Sequence, residues 1–157
     1  MEYLVFSQEK TPRLPLVRLL QNAKNYFGLS VTVLGEEGVS ERGEVAEASR
    51  VLLELENPKH GYTARFEISA RYASVQDQSA AREAESAGRA AGMADLARRC
   101  PTVWEVTAAP LAPELSTFEL CAVLASTALG PVLPRDASTL FGVRGALERA
   151  KRASAIG

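Results

Sequence analysis

Between Tyr62 and Tyr72 the chain alternates without a break. Tyr62, Ala64, Phe66, Ile68, Ala70 and Tyr72 fall on one side, and Thr63, Arg65, Glu67, Ser69 and Arg71 on the other. Strand side chains point to opposite faces with period two, so the pattern demands a strand with one face buried and the other wet. Ahead of it Val51, Leu53 and Leu55 alternate with Arg50, Leu52, Glu54 and Glu56, and Asn57-Pro58-Lys59-His60-Gly61 supplies a turn. The segment therefore predicts a β-hairpin on whose apolar face the rest of the chain packs. Two registers bury both apolar sets: one sets Glu54 opposite Arg65, the other Arg50 opposite Glu67. Each joins opposite charges on the wet face, and the sequence does not choose between them.

The flanking segments supply further strands and the helices. Glu2–Gln8 is a short apolar run suited to a strand. A helix is expected from Thr11-Pro12, with Leu16, Leu19, Leu20, Ala23 and Phe27 on one face and Gly28 as its terminating glycine. Leu29–Leu34 reads as a strand, and the acidic, glycine-punctuated stretch Gly35–Ser49 as a loop. Ser74–Arg99 predicts one long helix whose small residues Ala80, Ala84, Ala87, Gly88, Ala91 and Gly92 let its backbone lie close to the sheet. Val103–Val106 is a short strand. Glu114–Leu129 is a nearly all-apolar helix, with Ser116 and Glu119 spaced as a capping box. Extended pieces at 131–134 and 138–141 lead to a final helix over Gly142–Ala153. The expected fold is α+β: residues 1–157 as one domain, with a mainly antiparallel sheet of about four to six strands and helices packed on one face.

Charge and targeting signals bear on which partners such a domain takes. The 157 residues carry a net charge of −1, which gives no general attraction for nucleic acid or an anionic membrane. The first residues lack the basic and apolar regions of a signal peptide, and no run of about 20 apolar residues exists to span a bilayer. A cytoplasmic protein is expected. Cys100 and Cys121 fall in helical patterns and read as buried thiols rather than a disulfide framework.

Catalytic constellations are missing from the pattern. His60 is the sole histidine and lies in the hairpin turn, where a general base would lack both partner and orienting group. The cysteines are too far apart for a local metal cluster. Gly35, Gly38 and Gly43 match neither a P-loop nor a dinucleotide fingerprint, and no serine sits in a nucleophile elbow. Neither a cofactor nor a metal is expected, and no enzymatic activity.

Two polar surfaces remain. One is the wet hairpin face with Glu54, Glu56, Arg65, Glu67 and Arg71; the other is the acidic stretch with Glu36, Glu37, Glu41 and Glu44, which would complement a basic protein. The strand–helix opening, the run GRAAGMADLARRC leading into VWEV, and the close LCAVLASTALGPVLPRDASTLFGVRGALERA resemble the small bacterial immunity proteins of polymorphic toxin systems, particularly the swarm-inhibition type. That resemblance implies a protein that binds and neutralises a cognate toxin without catalysis. A second reading is a small-molecule-binding domain or enzyme, with a pocket between sheet and helix containing Tyr62, Tyr72 or Trp104. A third is homodimerisation through a strand edge or the sheet face.

Overall fold

The computed structural model describes residues 2–38, 40–42 and 45–156. In chain order the elements begin with β1 (Tyr3–Ser7), β2 (Leu14–Pro15), α1 (Leu16–Phe27), β3 (Ser30–Glu37), β4 (Ser40–Arg42) and β5 (Val45–Ala48). The hairpin strands β6 (Arg50–Asn57) and β7 (Tyr62–Tyr72) follow, then α2 (Val75–Gly88) and α3 (Met93–Arg98). The chain continues through β8 (Thr102–Ala108), α4 (Glu114–Ala128), β9 (Val132–Pro134) and α5 (Val143–Ile156). Six strands form one sheet in the order β3-β6-β7-β8-β1-β9, every neighbouring pair antiparallel, and β2, β5 and β4 form a small second sheet. The architecture is α+β, as the pattern of elements requires.

The hairpin adopts the register that sets Glu54 opposite Arg65. Its turn explains the choice. Asn57 pairs with Tyr62, the Gly61 N–H donates to the Asn57 carbonyl at 2.8 Å, and the Lys59 N–H donates to Asn57 Oδ1 at 3.0 Å. Gly61 takes φ +69°, a left-handed conformation that favours glycine. An asparagine closing a tight turn on its own side chain fixes the loop length, and loop length fixes register.

The apolar face of the hairpin is covered as expected. Val51, Leu53, Leu55, Phe66 and Ile68 join Val5, Trp104 and Val106 in a buried layer. Above them lie Leu16, Leu19 and Ala23 of α1, Leu120, Cys121 and Leu124 of α4, and Ala146 and Ala150 of α5. The expectation that all helices share this face does not hold. Ala81 and Ala84 of α2 and Ala94 and Ala97 of α3 pack with Leu4, Phe6, Val103 and Leu133 in a separate cluster. Leu4 and Phe6 alternate with Val5 along β1, so this second cluster occupies the opposite face. The cause is visible in the runs Leu4-Val5-Phe6 and Val103-Trp104, which are apolar on both sides and need cover on both.

Several boundaries differ from the sequence expectation. The first helix starts at Leu16, because Leu14 and Pro15 pair with Ala48 and Glu47 of β5, and a residue before proline disfavours helical backbone. Its end is as expected, with Gly28 at φ +65°. Gly35–Ser49 is largely strand: β3 runs on to Glu37 across a bulge between Val33 and Gly35, and β4 and β5 follow. The long helix divides at Arg89, which turns left-handed, and resumes after Gly92. Ala87, Gly88, Ala91 and Gly92 are exposed, so of the expected stripe only Ala80 and Ala84 pack toward the sheet, joined there by Ala81, Ala94 and Ala97. No helix among the described residues is long and apolar enough to cross a membrane.

Candidate functional site

Helices α2 and α3 cover only the β8-β1-β9 end of the second face, so the β3-β6-β7 end stays open. Strand register builds that surface. Across it run the rows Glu37–Arg50–Ser69–Glu105, Gly35–Leu52–Glu67–Thr107 and Thr32–Glu54–Arg65, followed by Ser30–Glu56–Thr63. The hairpin residues expected to meet a partner are therefore together on one surface, and the end of β3 brings Glu37 to the same surface. Glu36 sits opposite Val51 and, with Gly35, Glu37, Arg50, Leu52 and Glu67, lines a shallow depression of 280 Å³. Glu41 falls in β4 of the second sheet, and Glu44 lies outside the described residues.

Most charges on this surface already have partners. Arg50 reaches Glu67 at 2.8 Å and Glu37 at 3.4 Å, so the second charge pair expected from sequence forms diagonally within the register that sets Glu54 opposite Arg65. The hydrogen bond that Arg50 donates to Glu67, the Glu67 charge and then the Glu37 charge push the Arg50 guanidinium further above its ordinary value. Arg65 Nε donates to Glu54 at 3.1 Å. Glu56 makes no ion pair among the described residues. Counting Glu37, Glu54, Glu56 and Glu67 against Arg50 and Arg65, this end of the face is net acidic. Leu52 stands in the middle of it, 42% exposed, and Leu34 at the bulge is equally exposed.

Arg71 is different. Its Nη1 and Nη2 donate to the two carboxylate oxygens of Asp77 at 2.6 and 2.9 Å, and its Nε donates to Glu105 at 2.7 Å. Asp77 is itself buried and accepts the Ser74 N–H at 2.7 Å, closing the capping box of α2. Burial pushes the Asp77 pKa up, but the hydrogen bonds from Arg71 and Ser74 outweigh it and hold the carboxyl below its ordinary range. Arg71 thus fastens the sheet to the start of α2, a role not expected from the sequence. The signal was present in the Ser74-x-x-Asp77 spacing, but nothing local aims Arg71 at it.

A second concavity lies at the turn end of the hairpin. A cleft of 420 Å³ is lined by His60, Tyr62, Pro113, Glu114, Leu115, Ala153 and Ser154. Beneath it Tyr62 donates its hydroxyl to Glu119 Oε1 at 2.8 Å, and Asn57 Nδ2 lies 3.0 Å from both Glu119 oxygens. Burial first, and then the Glu119 hydrogen bond and charge, push the Tyr62 phenol well above its ordinary pKa. The capping box expected at Ser116 and Glu119 does not form. Helix α4 begins one turn earlier, after Pro113, Ser116 Oγ donates to the Pro113 carbonyl at 2.5 Å, and Glu119 is drawn to the turn instead. Sequence reasoning missed this cluster because its members are separated by more than fifty residues.

The fold and these surfaces define an α+β domain with an open, acidic half-sheet on one side and a small cleft on the other. No protein-family model, curated protein or solved structure matches the chain.

Proposed function

We propose that this chain is a non-catalytic protein-binding domain of the immunity type, which holds a cognate toxin against the open β3-β6-β7 face. The observation that carries the reading is the uncovered half-sheet. Two helices shelter the other end of the same face, while this end keeps a net acidic set of side chains around an exposed Leu52. An apolar centre ringed by charge is the anatomy of a protein-docking patch, and acidic charge selects a cationic partner and speeds its approach. The self-paired Arg50, Arg65, Glu54 and Glu67 hold that patch in one arrangement, which lowers the ordering cost of binding.

The test is calorimetric titration of the neighbouring gene's product into the wild-type protein and into Glu54→Lys/Glu56→Lys. Tight binding that weakens with salt and falls by about tenfold or more in the variant, with matching loss of protection from toxicity, supports the reading. Absence of binding, binding indifferent to the double reversal, or a homodimer occluding the face refutes it. A second reading, a small-molecule-binding domain, is favoured by the cleft at Tyr62 and Glu114.

A further inference from the structure

The cleft at the hairpin turn does not end at Ala153. A smaller one of 180 Å³ shares Glu114 and Ala153 with it and is lined further by Phe118, Arg149 and Arg152. The two make one groove between the start of α4 and the second half of α5, within the size range of small-ligand sites. Its floor is apolar: Pro113, Leu115, Phe118 and Ala153.

At its α5 end stand two guanidiniums. Arg149 lies over the Phe141 ring, 4.1 Å from the centroid, and Phe141 packs edge-on against Tyr3 and Phe118. One Arg149 N–H donates to the Gly145 carbonyl at 3.1 Å, and no carboxylate pairs with it among the described residues. Arg152, one turn on, makes no ion pair among them either. Burial and then the neighbouring Arg152 charge push Arg149 below its ordinary pKa, against smaller opposing effects of Tyr3 and Glu148. An arginine held by an aromatic ring with most of its five donors unused is pre-organised for a planar, bidentate anion.

We infer that the groove binds a small amphiphilic carboxylate, its anionic head on Arg149 and Arg152 and its hydrocarbon body along Leu115, Phe118 and Pro113. This rests on the small-molecule reading of the cleft and names the ligand class. A monoanion is selected over a multiply charged phosphate because Glu114 lines both parts of the groove and opposes a second negative charge.

The probe is sodium benzoate, followed by amide chemical-shift titration of the full chain, with benzamide and inorganic phosphate in parallel. Saturable shifts at Leu115, Ala153 and Ser154 are expected with benzoate alone, weakened about tenfold by Arg152→Gln and abolished by Arg149→Gln/Arg152→Gln. Arg152 is exposed, so its single variant keeps the test valid even where loss of the Arg149 stack loosens the core. Saturable binding of benzamide as tight as benzoate overturns the anionic assignment while leaving a small-molecule cleft. Tighter binding of phosphate overturns the choice of an amphiphilic monoanion. Shifts that never saturate with any probe, or benzoate binding unchanged in Arg152→Gln, overturn the site.

Discussion

Replacing Arg71 by alanine is the substitution that most sharply separates fastening from display on the wet face. Wild-type Arg71 makes three hydrogen bonds to two carboxylates, and only a tenth of the Asp77 side chain is exposed. A charged hydrogen bond contributes about 1.5–3 kcal/mol when sheltered. The Arg71 side chain is 38% exposed, so water screens each bond, and a total loss of about 2–3 kcal/mol is expected rather than the unscreened sum. Arg65 donates to one carboxylate from a side chain 62% exposed, and Arg65→Ala costs about 0–1 kcal/mol. Urea unfolding of both variants at neutral pH measures the difference.

The pH dependence adds an independent readout. In the folded wild type the Asp77 carboxyl is held below 3.8, so its contribution is complete above that value and disappears as pH falls through the lower, folded pKa. Without Arg71 the strongest influence holding the carboxyl down is gone while its burial remains, so the Asp77 pKa rises from its wild-type position. The acid limb of the stability curve then moves to higher pH, and carboxyl-detected NMR follows the same group directly. A loss below about 0.5 kcal/mol, or an Asp77 titration that does not move, would refute the assignment of Arg71 as a fastener.

Two further outcomes follow from the packing. Gly130→Ala is expected to destabilise by about 2 kcal/mol or more, because an added Cβ collides with the Phe6 carbonyl and presses on Cys100 Sγ; an unchanged thermal midpoint would show that β1 can yield there. Burial raises the Cys100 thiol to about 11 and the Cys121 thiol to about 12, so both stay protonated at pH 8. Their labelling by a disulfide reagent should run at the rate of unfolding, and rapid labelling of the native protein would contradict the buried positions.

The sequence by itself determined whatever depends on neighbours along the chain. Alternation from Tyr62 to Tyr72 specified a strand and its buried face, because the period of side-chain direction is a local property of extended backbone. Gly28 marked the end of α1 for the same kind of reason, a left-handed residue that glycine adopts without steric cost. Even the two candidate hairpin registers were legible, and with them both charge pairs. Only the tertiary structure decided what those faces meet. The doubly apolar runs of β1 and β8 drew α2 and α3 to the second face, and pairing with β5 turned Leu14 and Pro15 from helix to strand. The same holds for function: Arg71 and Glu119 lie on Asp77 and Tyr62 because the fold brings distant carboxylates and donors within hydrogen-bond reach. Hydrogen bonds are made in space, and a one-dimensional pattern records which groups are available, not which ones arrive.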